Sequence, residues 1–187
     1  MARRRTVTLR DQAQLRAISS PLAHRIVGAM EHLDRATVPE IAEFIGAPAG
    51  SLYYHVRKMK SVGLLRQVAQ QETARRSRAI YQLSGREVSV DVPSLSRAGL
   101  RELHRNRRIM LRFAERSLED GARRAQASSG PSPGACLIQR HVRLGRRDVV
   151  ELNRRLEALA AWVADRTPPR KATGYVLTLA LGTLPEG

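Results

Sequence analysis

The chain has 187 residues, 42% of them hydrophobic, which suits one domain or two small ones and is too apolar for a disordered chain. Aromatic residues make up only 4%, so the core must be aliphatic, and a formal net charge of +16 calls for a polyanionic partner. A single cysteine, Cys136, excludes an intrachain disulfide and fits a reducing cytosol, and no stretch reaches the roughly 18 apolar residues of a membrane span.

The charge is spread along the chain. Residues 1–84 carry 14 Lys+Arg against 6 Asp+Glu, and residues 85–187 carry 19 against 11. Only the stretch 46–84 has a sharp local excess, with 7 basic residues and one acid, Glu72. Met1-Ala2-Arg3-Arg4-Arg5 is basic with no apolar segment behind it, unlike a secretory signal. Its arginines read as a solvated tail or as an arm lying on phosphate.

Asp11 to Ala17 predicts a short helix. Ser20-Pro21, an N-cap with proline at the first helical position, opens a second helix to about His32, with Ile26, Val27 and Met30 as its apolar stripe. Thr37 followed by Glu40 is a capping box for a third helix, in which Val38, Ile41, Ala42 and Ile45 share a face and which Gly46 ends. Pro48 suits the first turn of a fourth helix, with Leu52, Val56 and Met59 as its buried stripe. Tyr53, Arg57 and Lys60 fall at i, i+4, i+7 on a different face, with Tyr54 and Lys58 beside them. After Gly63, Leu64–Val68 and Ala79–Leu83 read as the strands of a hairpin, with the polar, basic run Glu72–Arg78 between them. Two short helices about a tight glycine turn, then a hairpin, make a winged helix-turn-helix over residues 1–84.

Gly85 to Pro93, with alternating Val88, Val90 and Val92, extends the hairpin or acts as a linker. Residues 94–187 form a second region. Ser94 or Ser96 caps a long helix to about Gln126, whose apolar side is Leu100, Leu103, Met110, Leu111, Ala114 and Leu118, interrupted by Arg107. Ala127 to Gly134 is a Ser/Pro/Gly-rich loop. Leu137 to Leu144 predicts a strand, with Cys136 at its start as a small buried hydrophobe. Arg147-Asp148 opens a helix in which Val149, Leu152, Leu156, Leu159 and Val163 form a heptad seam, two heptads long and in need of a packing partner. Thr167-Pro168-Pro169 ends it, and Tyr175 to Leu181 alternates as a terminal strand. The fold class expected is mainly α within α+β.

Gly50-Ser51-Leu52-Tyr53-Tyr54-His55-Val56-Arg57-Lys58-Met59, followed by Val62-Gly63-Leu64-Leu65 and preceded by the helix Ser20 to Val27, resembles ArsR-like winged helix-turn-helix transcriptional regulators of bacteria. The resemblance covers roughly residues 10 to 84. It implies that Pro48, Ala49, Gly50, Tyr53, Tyr54 and Arg57 face double-stranded DNA, and it favours a repressor. The family often has small polar residues where this chain has Pro48-Ala49-Gly50, so fewer side-chain donors are offered here. Many of its members sense metal through paired cysteines. Cys136 stands alone and the five histidines show no ligand spacing, so no metal site is expected.

The residues themselves agree for Tyr53, Tyr54 and Arg57, which lie off the apolar stripe. Arg57 can pair bidentately with a guanine or touch only phosphate, and the tyrosine hydroxyls can donate to phosphate or a base edge. Lys58 and Lys60 add charge to the same helix. Arg75, Arg76 and Arg78, at the hairpin tip, suit phosphate or a minor groove, or a solvated turn. His55, three residues after Leu52 and four before Met59, reads as a core-edge histidine. No phosphate loop, nucleophile elbow or paired carboxylates occur, so neither an enzyme nor a cofactor is expected. The expectation is a cytoplasmic, nucleoid-associated homodimer bound to an inverted repeat. Residues from about Ser94 onward would hold the dimer, through the apolar side of the long helix and through Leu152, Leu156, Leu159 and Val163. A small-molecule or protein effector would release it. Two alternatives stand beside it: an architectural binder of weak sequence preference, suggested by the diffuse charge, and a protein-interaction winged helix that binds no DNA.

Overall fold

The structure, a computed structural model, describes residues 6–72, 77–85, 87–127, 135–164, 166 and 175–182. Arg3 to Arg5, Arg75, Arg76, the loop 128–134 and Thr167 to Pro169 lie outside the described residues. The fold is α+β, in two compact units, residues 1–110 and 111–187.

The first unit begins with strand β1 (Thr6–Leu9), helix α1 (Gln12–Ala17) and helix α2 (Pro21–Leu33). Asp11 caps α1, its side chain accepting from Gln14 N–H at 2.8 Å, and Ser20 caps α2 with Pro21 behind it. A short strand β2 (Arg35–Thr37) leads into helix α3 (Val38–Ile45), and helix α4 (Ala49–Ser61) follows after a tight turn. Strands β3 (Leu65–Glu72) and β4 (Ser77–Leu83) form an antiparallel hairpin with an irregularity between Gln67 and Ala69, and β2 pairs with the other edge of β4 in a sheet of order β2-β4-β3. This is a winged helix-turn-helix, with the β3–β4 hairpin as the wing.

The core is aliphatic, as the low aromatic content requires. Leu15, Ile26, Met30, Ile41, Leu52, Met59, Leu64 and Leu65 are all fully buried. The stripes expected on α2, α3 and α4 all turn inward; Ile45 is half-buried at the rim. Burial of such side chains stabilises the unit by roughly 1.5–3 kcal/mol each.

Local sequence does not announce β1 or the pairing of β5. Strand β5 (Glu87–Val90) neither extends the wing nor acts as a free linker: it pairs parallel with β1, Thr6 opposite Glu87 through Leu9 opposite Val90. The Val88/Val90 alternation is real, but its partner lies at the other end of the unit's sequence. A 3-10 turn (Val92–Ser94) then leads to helix α5 (Arg97–Ala127), where Ser96 Oγ accepts from Gly99 N–H at 3.2 Å.

The start of α5 is built into the first unit. Leu95 and Leu103 join its core, and Leu100 packs against it. Asn106 Nδ2 donates to Leu15 O at 2.9 Å, and Arg16 Nε meets Glu102 Oε2 at 3.4 Å. Of the α5 residues expected to hold a dimer, Leu103 is therefore 7% exposed within its own chain and has little surface left to offer.

In the second unit, α6 (Arg146–Ala164) follows the expected helix, with Leu152 and Leu156 half-buried and Val149, Leu159, Trp162 and Val163 exposed. Glu151 accepts from Arg154 and Arg155, which holds its carboxyl down to about 2. The two strands expected here are not formed. Residues 135–145 and 175–182 are exposed and belong to no helix or strand. Alternation makes a strand only where another strand completes the ladder. Cys136, expected to be buried, is exposed with the rest of its segment.

Candidate nucleic-acid interface

The α3–turn–α4 unit is fixed by local chemistry. Thr37 N–H donates to Glu40 Oε2 at 2.7 Å and Glu40 N–H reaches back to Thr37 Oγ1 at 3.5 Å, closing the expected capping box. At the other end Gly46 takes the left-handed conformation (φ 62°, ψ 46°), and Ala47 N–H returns to Ala42 O at 3.0 Å. Pro48 is the N-cap of α4 and not part of its first turn. It leaves the N-cap without a side-chain acceptor, and Ser51 bonds to the Pro48 carbonyl instead, through N–H at 3.1 Å and Oγ at 2.7 Å.

Leu52, Val56 and Met59 pin α4 to the core, so its rotation is set. Successive residues turn by about 100°, which places Gly50, Tyr54, Arg57 and Ser61 on the side away from that stripe. Tyr53 is 50% exposed and Tyr54 61%, and Arg57 is exposed with them. Neither tyrosine packs into the domain. Pro48 and Gly50 are exposed and Ala49 is half-buried. A Cβ at Gly50 would meet nothing within 4 Å, so the helix backbone there is open to a close approach.

The lysines bond elsewhere in the unit. Lys58 Nζ donates to Arg16 O at 2.8 Å, at the C-terminus of α1, and lies 6.0 Å from the Tyr54 ring. That bond satisfies one of the carbonyls a helix end leaves open and ties α4 to α1. Lys60 Nζ meets Gln67 Oε1 at 3.2 Å and ties α4 to the wing. His55 is half-buried beside Tyr54, and its imidazole pKa is lowered by burial and by the Lys58 charge.

On the wing, Arg78 is the one arginine of the expected tip cluster among the described residues, and it is exposed. It lines a cleft between α4 and the wing together with Val38, Pro39, Tyr53, Ser77, Ala79 and Tyr81. Sequence reasoning misses Tyr81 and Pro39. Tyr81 is signalled by period-two alternation with Ala79 on β4, whereas nothing local in the sequence brings Pro39 to the wing. It also passes over Arg66, which is exposed on β3 and bonded through Nη2 to Gln82 Oε1 at 2.8 Å. Among the described residues, none of Arg57, Lys58, Lys60, Arg66 and Arg78 forms an ion pair with a carboxylate.

Residues 18–68 match the family of the helix-turn-helix domain. The helix-turn-helix match runs from the residues before α2 to the middle of β3, about a quarter of the chain, and contains every α4 residue named above. A solved structure of a transcriptional regulator homologue protein from Pyrococcus horikoshii OT3 is similar at 16% identity, over 52% of this chain and 88% of that one, with a TM-score of 0.32. At that level nothing of the regulator passes to this chain. No curated protein matches the sequence. The described residues hold no group of three or more His, Cys, Asp or Glu side chains suited to a metal ion, and no helix among them is long and apolar enough to cross a membrane.

Proposed function

We propose that the chain is a sequence-specific, DNA-binding transcriptional regulator of the ArsR-like kind, acting as a homodimer on an inverted repeat in the bacterial cytoplasm. The observation that carries this reading is the rotation of α4. Its apolar stripe is locked inward, and Tyr53, Tyr54 and Arg57 stand outward beside a wing on which Arg66 and Arg78 are exposed. A helix so held can enter the major groove, which admits one α-helix and shows each base pair a distinct donor and acceptor pattern. Arg57 would read a base, the tyrosines would set the register on phosphate, and Arg78 with Arg75 and Arg76 would hold the flanking backbone.

The winged helix-turn-helix of residues 1–84 would bind DNA, and residues from 94 onward would hold the dimer and receive a small-molecule or protein effector. Met110, Leu111, Leu159 and Val163 keep exposed apolar surface, which supports a second copy as their cover. Repression would follow from occlusion of a promoter, relieved when the effector changes the spacing of the two α4 helices. Selection of bound fragments from a random duplex pool, followed by sequencing, tests the reading. An enriched inverted repeat, with half-sites roughly 10–10.5 bp apart or a multiple of that, is expected of a two-fold protein. A pool that stays random after repeated rounds would refute it and leave an architectural binder.

A further inference from the structure

Helix α5 carries a second basic surface that the proposed interface does not use. Arg97, Arg101, Arg105 and Arg108 are all exposed. They stand at i, i+4, i+8 and i+11, which at 100° per residue gathers them within about 80° of arc and along about 16 Å of helix. Arg112 and Arg116 repeat the spacing further along the sequence. The opposite face is the one that packs into the first unit: Gly99, Glu102, Leu103 and Asn106 are buried there. The bonds from Asn106 to Leu15 O and from Arg16 to Glu102 fix the rotation, so the arginine row is held outward.

The row has no counter-charge of its own. Glu102, the only acid between Arg97 and Arg108 in the sequence, is buried and faces Arg16. Among the described residues no ion pair or hydrogen bond reaches any of the four guanidinium groups. Like charges at i, i+4 destabilise a helix, and a row of them is relieved by a polyanion lying along it. Duplex DNA carries one charge per about 1.7 Å of axis, so a 16 Å row faces several phosphates at once.

We propose that this row is a second DNA-contacting surface, which grips the phosphate backbone of the duplex that α4 and the wing bind. The proposal rests on the DNA-binding reading above. Duplex DNA is favoured over an acidic protein or RNA because the same compact unit also exposes Arg57 on α4 and Arg66 and Arg78 on the wing. The row reads no sequence; its contribution is affinity, register and salt sensitivity.

The test uses the full chain and a random-sequence duplex of about 40 bp, with binding measured across a salt series. Arg97, Arg101, Arg105 and Arg108 are changed together to Gln, and in a second variant together to Lys. The Gln variant should lose about 0.9 from the slope of log K against log salt for each phosphate it no longer neutralises, roughly 2–4 in all. The Lys variant should keep the parent slope, and all three proteins should melt alike. An unchanged slope in the Gln variant, with Arg57→Ala still lowering preference for a selected site, would overturn the proposal and leave the DNA-binding reading intact. Failure of the parent chain to bind any duplex at low salt would overturn both. Loss of binding to single-stranded RNA or polyglutamate by the Gln variant, with the duplex slope unchanged, would also overturn it and assign the row to that other polyanion.

Discussion

Arg57 lies five residues after Leu52 on α4, about 140° around the helix from it, and that angle gives it a place on the outward face. Leu52 is legible as core and Arg57 as exposed from spacing alone, because a 3.6-residue period is a local property. The role of Lys58 is not legible. Its partner is the carbonyl of Arg16, 42 residues away, and no local pattern announces such a bond. Cys136 misleads for the same reason: a small apolar-flanked residue reads as buried only if something covers it, and nothing described does.

His24 on α2 makes stability depend on pH. Its Nε2 is buried without a hydrogen-bond partner among the described residues, and burial lowers its pKa below the ordinary 6.5. The folded state favours the neutral ring while the unfolded chain takes up a proton. The contribution of His24 is therefore full above about pH 6.5 and is lost as the pH falls below it. Denaturant unfolding between pH 7.5 and 5.5 should show the parent protein weakening on acidification and His24→Gln weakening less. Some slope should remain in the variant, because His55 is shifted in the same direction. Identical pH profiles for the two would show that the buried imidazole carries no linkage.

At the scale of elements, the helices are legible because their ends carry their own chemistry. Thr37 with Glu40, Gly46, and Ser20 with Pro21 each mark a boundary through atoms within a few residues. Strands carry no such mark. β2 is three residues long with the sequence Arg-Ala-Thr, and β1 is completed only by β5 from the far end of the unit. Conversely, Leu137 to Leu144 reads as a strand and Tyr175 to Leu181 alternates like one, and both lack described partners. The wing is legible because both of its strands are adjacent in sequence. Its arginines can be tested together: replacing Arg75, Arg76 and Arg78 by Ala should lower the salt slope of DNA binding by about 0.9 for each phosphate the wing ceases to neutralise. An unchanged slope would mean that the wing stays off the DNA.

At the scale of the molecule, each region has a different degree of completion. The winged-helix unit closes its own core, with Leu95 and Leu103 of the α5 segment included. α6 leaves Leu159, Trp162 and Val163 exposed on a 19-residue helix, and its seam is the surface that a second copy would cover. Replacing Leu152, Leu156, Leu159 and Val163 by Gln should convert a dimer into a monomer in sedimentation and leave the melting of the winged-helix unit in place. A full-length chain that sediments as a monomer would rule out the dimer. A variant that dimerises as tightly as the parent would rule out this seam as its interface.

In the proposed complex α4 reads bases through Arg57. This is tested most directly by comparing Arg57→Ala with the parent on a selected site and on random duplex. A base-reading arginine is worth roughly 1–3 kcal/mol of discrimination. The expected result is a loss of that size on the selected site, a much smaller loss on random duplex, and unchanged melting. An equal fractional loss on both would make Arg57 a phosphate contact and not a reader of bases.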